Sequence, residues 1–308
     1  MSLKIKKVLK FVFDKDYRFL VSGGRGWHKN MSDEQFLRRM YRIQIGRELD
    51  LNNPSSYTEK LQWLKLYDRR PVYTTMVDKY AVKSYVGEKI GEEYIIPLLG
   101  VWESADEIDF DALPDQFVLK TTHDSGAVIV CKDKRSLDIK KAKKTLAHFL
   151  ARKYFDCNRE WPYKNVKPRI IAEAYMEDSA SGELRDYKFF TFGGEPRVLY
   201  IAQGRGRGEP TVADFFDMEF NHLPFTIDHD TADTPPEKPK CFDEMKRLAA
   251  ILSEGTPQLR VDFYEVDGRV YFGEMTFFHC SGFERFHPEE WDKKFGDWVV
   301  LPPKTEEN

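Results

Sequence analysis

The spacing of apolar and polar positions divides the chain into a helical first part and a later part in which strands and helices interleave. From 30 to 93 apolar residues recur at helical spacing. The stretch "SDEQFLRRMYRIQIGRELD" opens on Ser32 and Glu34, which signal a helix start, and "NPSSYTEKLQWLKLYDRRP" and "MVDKYAVKSYVGEKIG" continue the pattern. From 94 to 133 the texture turns to strands and turns, "EYIIPLLGVW" and "FVLKTTHDSGAVIVCKD". A helix is predicted over 137–155, followed by "PRIIAEAYMED" and the strands of "RDYKFFTFGGEPRVLYIAQ". The polar, proline-rich segment 228–240 reads as a loop, and "CFDEMKRLAAILSEG" as a helix that stops at Gly255. Interleaved elements of this kind predict an α/β or α+β class with mixed sheets. The expected divisions are a mainly helical region 1–93, a small subdomain with its preceding strand over 94–176, and a C-terminal subdomain over 177–308.

The last long pattern, "RVDFYEVDGRVYFGEMTFFHCSGF", reads as a hairpin turning at Asp267-Gly268. Asp262 and Glu274 interrupt its apolar runs, and buried carboxylates require something to neutralise them. Arg260 and Asp262 share one strand face, as do Glu274 and Thr276 on the other strand. With a two-residue turn Asp262 pairs with Gly273 and Glu274 points away; with a three-residue loop ending in a bulge the two carboxylates face each other. The second arrangement is the expected one. It reads either as ligands of a hard divalent cation or as a sheet ion pair with Arg260. If the carboxylates oppose each other without compensation, Asp262→Asn should change stability little, or raise it.

Composition narrows the function classes. The 308 residues are 41% hydrophobic and 32% charged with a net charge of −3, which gives no global pull toward nucleic acid. Cys131, Cys157, Cys241 and Cys280 are widely spaced, without CxxC or Cys/His ligand spacing, and read as reduced thiols. No apolar run approaches the roughly 20 residues of a membrane span. The start, "MSLKIKKVLKFVF", is too short and too lysine-rich in its apolar part for a signal peptide. A cytoplasmic chain is expected. The basic residues Lys4, Lys6, Lys7 and Lys10 form either a solvated face or a peripheral contact at the inner face of a membrane.

Further chemistry gathers on loops. "FVLK" ends an apolar strand on Lys120, and the turn "TTHDSG" (with His123, Ser125 and Gly126) is the kind that lays backbone N–H groups over phosphates. An ordinary P-loop is excluded, because GxxxxGK followed by Ser or Thr is absent. "GRGRG" (204–208) is a solvated turn or a loop offering Arg205 and Arg207 to an anionic substrate; one short copy in an acidic chain is a poor RNA tract. His123 reads as a surface loop histidine or as a residue near the phosphate path. In "FHCSGF", Ser281-Gly282 reads as a turn shaping an acceptor pocket rather than part of a Cys–His nucleophile. Trp63 and Tyr67 sit at helical spacing with Leu61 and Leu64, as core or as a sugar-stacking surface.

The order of these pieces resembles the TupA-like ATP-grasp family of polysaccharide and teichuronopeptide biosynthesis. The resemblance runs from about Asn30 to about Leu301. It rests on "NPSSYTEKLQWLKLYDRRP", "VDKYAVKSYVGEKIGEEYIIPLLGVW", "FVLKTTHDSG", "IIAEAYMED", "DYKFFTFGGEP", "ADFFDMEFNHLPF" and the closing hairpin. It implies an α+β ATP-grasp fold, in which two subdomains grip ATP, behind a helical N-terminal region. By the same resemblance Lys79 is the lysine preceding the lid, and Lys120 the nucleotide-phosphate lysine. Glu173, Ala174, Tyr175 and Met176 form the hinge that holds adenine and ribose. Asp186 is a further ribose or hinge acid, and Lys188 lies near the phosphates. Arg260, Asp262 and Glu274 become the catalytic and metal array. Thr276 stands where many ATP-grasp enzymes carry Asn, and takes a metal-bound water or phosphate.

The implied activity is an ATP- and Mg²⁺-dependent ligase. A carboxylate, a uronic acid of a cell-surface glycan or its precursor, is activated as an acyl phosphate and attacked by the amine of an amino acid. A glycosyltransferase and a non-catalytic nucleotide-binding module are the alternatives. The first commonly shows a D-x-D motif at a strand end, and here "DHD" lies on the proline-rich loop.

Overall fold

The computed structural model describes residues 3–179, 182, 184–204 and 211–305. In chain order the elements are α1 (Leu3–Phe13), α2 (Lys15–Gly23), α3 (Asp33–Ile45), α4 (Tyr57–Tyr67), α5 (Val72–Val77), α6 (Ala81–Ile90), β1 (Leu98–Trp102), β2 (Phe117–Thr121) and β3 (Val128–Cys131). There follow α7 (Ile139–Leu150), α8 (Phe155–Asn158), β4 (Ile170–Ala174), β5 (Asp186–Phe192), β6 (Glu195–Gln203), β7 (Val212–Phe216), β8 (His222–Leu223), α9 (Phe242–Ser253), β9 (Gln258–Val266), β10 (Arg269–Thr276) and α10 (Glu290–Trp298). The strands form an antiparallel four-stranded sheet, β1-β4-β2-β3, and a six-stranded sheet, β10-β9-β5-β6-β7-β8. No described helix is long and apolar enough to cross a membrane.

Two cores hold these sheets. Phe117 and Leu119 of β2, Ile170 and Ala172 of β4 and Leu146 of α7 bury one face of the smaller sheet. The N-terminal helices share their core with the larger sheet, where Phe36, Tyr41 and Leu61 join one cluster with Phe189, Val261 and Phe295. Trp63 is buried there, edge-on to Tyr67, so both are packing residues. The helix start expected at Ser32 is there, its side chain accepting from the Gln35 N–H, and Ser56 and Glu59 form a reciprocal capping box for α4.

The helix expected over 137–155 is shorter. α7 stops at Leu150, and a separate turn of helix, α8, follows. The reason lies in the 122–127 loop. His123 Nε2 bonds the Arg152 carbonyl at 3.0 Å and the Asp124 carboxylate sits 3.3 Å from the Arg152 guanidinium, so the loop docks where the helix would continue. His123 is thereby buried, a loop anchor rather than a surface residue.

The closing hairpin corrects the expected loop. Arg269 pairs with Val266, so the turn is the two-residue one, with Asp267 (φ 51°) and Gly268 (φ 75°) both left-handed. The register then shifts by one between Phe272 and Glu274, and Glu274 pairs with Asp262 after all. Gly273 makes that bulge. A Cβ there would lie 3.0 Å from the Asp262 carbonyl oxygen and 3.2 Å from the Tyr264 ring. Gly273→Ala is expected to cost about 1–3 kcal/mol by overpacking, read as a lower urea midpoint at unchanged slope; wild-type stability would show that the bulge accommodates a side chain.

Candidate active site

One face of the larger sheet carries alternating charge. Cross-strand pairing sets Lys188, Asp262 and Glu274 in one row, with Tyr200 beside Lys188, and Phe190, Arg260 and Thr276 in the next. Asp186 pairs with Tyr264 in the row beyond. The opposite face is covered by α9, through Phe242 against Phe189. Arg260 grips Asp262 with two bonds, Nε to Oδ1 at 2.7 Å and Nη2 to Oδ2 at 2.8 Å. Its Nη2 also reaches Glu274 Oε1 at 2.8 Å and Thr276 Oγ1 at 3.0 Å. Lys188 Nζ lies 2.5 Å from Asp262 Oδ2 and 3.4 Å from Asp186 Oδ1. Burial opposes the charge on Arg260, but Asp262 and Glu274 outweigh it and raise its pKa.

The second wall comes from the smaller sheet and α6. Lys120 and Glu173 project from the sheet face opposite its core, and Glu173 sits between Lys120 Nζ at 2.6 Å and Lys83 Nζ at 2.5 Å. Burial works against the Glu173 carboxylate, yet the two lysines prevail and hold its pKa below the usual range. Lys79 donates to the Asp124 carbonyl at 2.7 Å, tying the turn before α6 to the 122–127 loop. Burial lowers its pKa, and the Glu274 charge resists that. Between the walls lies a cleft of about 440 Å³ that Ser125, Gly126, Asp228 and His279 also line. The charges that line the cleft are unevenly placed. Lys79, Lys83 and Lys120 share their wall with one carboxylate, Glu173; Lys188 and Arg260 share theirs with three, Asp186, Asp228 and Glu274.

Not every expected site residue meets this cleft. Asp262 is wholly buried behind Arg260 and Lys188, which occupy both its oxygens, so Glu274, Asp186 and Asp228 are the carboxylates of that wall that line the cleft. Thr276 and Ser281 line an adjoining chamber instead. Ala174 alternates to the other sheet face, where it and Tyr175 border a separate hollow with Lys132. His123, Met176 and Gly282 line neither the cleft nor the adjoining chamber. Gly282 packs on α4, where a Cβ would meet Gln62 Nε2 at 2.6 Å. Arg205 and Arg207 lie outside the described residues.

Some of the site was missed in the sequence. Lys83 lies in the first turn of α6, just after the turn that carries Lys79, and no motif marked it. Asp228 sits on the proline-rich loop, where it was noted only as part of "DHD", a D-x-D match away from a strand end. His279 was read only as one half of a nucleophile pair. Arg260 Nη1 donates to His279 Nδ1 at 2.8 Å, and a guanidinium has nothing to accept with, so the neutral ring carries its proton on Nε2. Burial and then the Arg260 charge push the His279 pKa down. Asp228, His279 and Cys280 bring donor atoms within 4.8 Å of one another, but a protonated Nε2 is no metal ligand. They are a hydrogen-bonding group, with Cys280 Sγ 3.6 Å from His279 Nε2 and 3.7 Å from Asp228 Oδ2.

Residues 59–300 match the TupA-like ATPgrasp family model, and the chain belongs to that family. The two sheets facing across a charged cleft are its α+β ATP-grasp fold. No curated protein matches the chain. Among solved structures, D-alanine–D-alanine ligase from Bacillus anthracis complexed with ATP is similar at 13% identity and TM-score 0.42, over 66% of this chain and 55% of that one. The ADP complex of purK, N5-carboxyaminoimidazole ribonucleotide synthetase, is similar at 12% identity and TM-score 0.48, over 89% and 66%. The chain thus spans little more than half the length of the Bacillus anthracis ligase.

Proposed function

We propose that this chain is an ATP- and Mg²⁺-dependent ligase that activates a carboxylate as an acyl phosphate for attack by an amine. The observation that carries this reading is the uneven charge of the cleft lining: three lysines and one carboxylate on one wall, two cations and three carboxylates on the other. A nucleoside triphosphate with its metal has the complementary form, phosphates toward the lysines and a hard cation toward carboxylate oxygens. Membership in an ATP-grasp family agrees with it. Lys79, Lys83, Lys120 and Lys188 would meet phosphate oxygens. Glu274 and Asp186 would hold Mg²⁺, and the donor set there is all oxygen, as that ion prefers. Bound Mg-ATP supplies the phosphoryl group and neutralises the charge of its transfer. Asp262 fixes Arg260 and Lys188 rather than reaching the cleft. Arg260 is held in place for an oxyanion that develops next to it. We further propose a uronic acid of a glycan or glycan precursor as the carboxylate, and an amino acid as the amine source.

Nucleotide binding is the first test. Mg-ATP should raise the melting temperature and UDP-sugars should not; a ligand at 100 times its Kd stabilises by about 2.7 kcal/mol. Stabilisation by UDP-glucose or UDP-galactose without any by ATP would move the reading to a glycosyltransferase. An ADP-release screen crossing amino acids with uronic acids then seeks the substrates.

A further inference from the structure

The chamber beyond Arg260 has the opposite character from the cleft. It encloses about 530 Å³ and shares Ser125, Arg260, Glu274 and Cys280 with the cleft, so these four residues form the boundary between two connected spaces. Its described lining includes three carboxylates, Glu160, Glu274 and Glu284. Arg260 is the one cation of that lining; it stands at the boundary with the cleft, and its charge is offset by its ion pairs with Asp262 and Glu274. Aromatic rings of Tyr154, Tyr163, Phe278 and Phe283 complete the walls. An anion entering here meets acids with no free cation among the described residues; an ammonium meets carboxylates and ring faces, both of which attract it.

Glu160 is the most constrained of the three acids. It is buried and accepts hydrogen bonds from the Ser281 hydroxyl and from Tyr154. Ser281 is fixed in turn. Cys280, Ser281 and Gly282 all have positive φ (47°, 54° and 65°), a left-handed turn that non-glycine residues avoid. Lys65 Nζ and Gln62 Nε2 of α4 hold it by donating to the Ser281 carbonyl at 2.8 and 3.1 Å, and Gln62 Nε2 also reaches the Gly282 carbonyl at 2.9 Å. Three elements therefore aim one carboxylate at a chamber that touches the nucleotide cleft. Burial raises the Glu160 pKa, with Lys65 opposing, in the direction that makes a carboxylate a stronger base.

We propose that this second chamber receives the attacking amine as its ammonium ion and that Glu160 is the base that removes its proton. The inference rests on the ligase reading. Glu160 takes one N–H proton, the freed nitrogen lone pair bonds the acyl carbon, the carbon–oxygen bond to phosphate breaks, and phosphate leaves with that electron pair. A second N–H proton departs with the phosphate, leaving a neutral amide and a protonated Glu160.

Matched probes test this without knowledge of the natural amine. Melting temperatures are measured at saturating Mg-ATP with glucosamine or L-alaninamide, and with their N-acetyl forms, which have the same frame but no ammonium. The cationic probes should stabilise the wild type and Glu160→Asp, and neither N-acetyl form should. Glu160→Gln should keep the ATP shift, which shows that it is folded, and lose the cation-specific shift. With a working acyl donor, Glu160→Gln should lose about 10²-fold or more in amide formation, yet still form hydroxamate from hydroxylamine, which is already unprotonated at neutral pH. An intact ATP shift with no preference for the cationic probes, or with a preference that survives in Glu160→Gln, overturns the inference and spares the ligase reading. Absence of the ATP shift in the wild type overturns that reading itself.

Discussion

Asp262→Asn is expected to destabilise the fold by about 3–5 kcal/mol, the scale for breaking a buried ion pair from one side. The side chain is fully buried and takes two bonds from Arg260 and one from Lys188, both themselves buried. The amide removes a full charge that touches both cations and turns two N–H donors toward groups that can only donate. This reverses the expectation drawn from the sequence, where Asp262 and Glu274 were two like charges whose repulsion the amide would relieve. The cations that neutralise Asp262 come from its own strand and from β5, and its pairing with β5 is a long-range contact. The readout is the urea midpoint of unfolding at unchanged slope. A loss below 1 kcal/mol would mean that Arg260 and Lys188 find other partners and that Asp262 is not their anchor.

The two halves of the site differed in how far local sequence revealed them. Arg260 and Asp262 stand two apart in a strand, so their shared face follows from the pleat alone. Lys120 ending an apolar run before a turn of small residues was equally visible, and both reach the ion-paired network or the cleft. The facing of Glu274 was expected for the wrong reason. A longer loop and a mid-strand bulge shift the register identically, and only the Gly273 contacts with Asp262 and Tyr264 distinguish them.

What stayed hidden was set by packing between distant segments. Glu160 follows a short helix without any motif, and its hydrogen-bond partner Ser281 comes 121 positions later. The burial of His123 depends on where α7 ends, and α7 ends there because the loop docks on Arg152. Asp228 arrives on a loop whose composition signals only irregular backbone. The overall class was legible because strand and helix periods alternate cleanly. The sharing of one core by the N-terminal helices and the larger sheet was not, since amphipathic helices do not name the surface that they cover.

Glu274→Gln should behave in the opposite way to Asp262→Asn, with stability nearly unchanged and activity lost. The Glu274 side chain is 41% exposed, and its ion pair with Arg260 Nη2 is open to solvent on the Glu274 side, Arg260 being 9% exposed. Exposed pairs typically contribute about 0.2–1 kcal/mol; this half-buried pair falls at the upper end, and glutamine keeps an oxygen where Oε1 now accepts. The change falls instead on the ligand set. Glu274 lines the nucleotide cleft, borders the second chamber and pairs with Asp262 across the bulge. On the proposed reading it is the carboxylate that brings Mg²⁺ to the boundary where the phosphoryl group is transferred. Removing its charge should reduce ADP release by about 10²-fold or more, and should raise the Mg²⁺ concentration needed for half of the ATP-dependent rise in melting temperature. That second measurement requires neither substrate. A variant with the wild-type Mg²⁺ dependence and wild-type ADP release would leave Glu274 as a partner of Arg260 and nothing more, and the metal would have to sit elsewhere along the acidic wall, nearer Asp186.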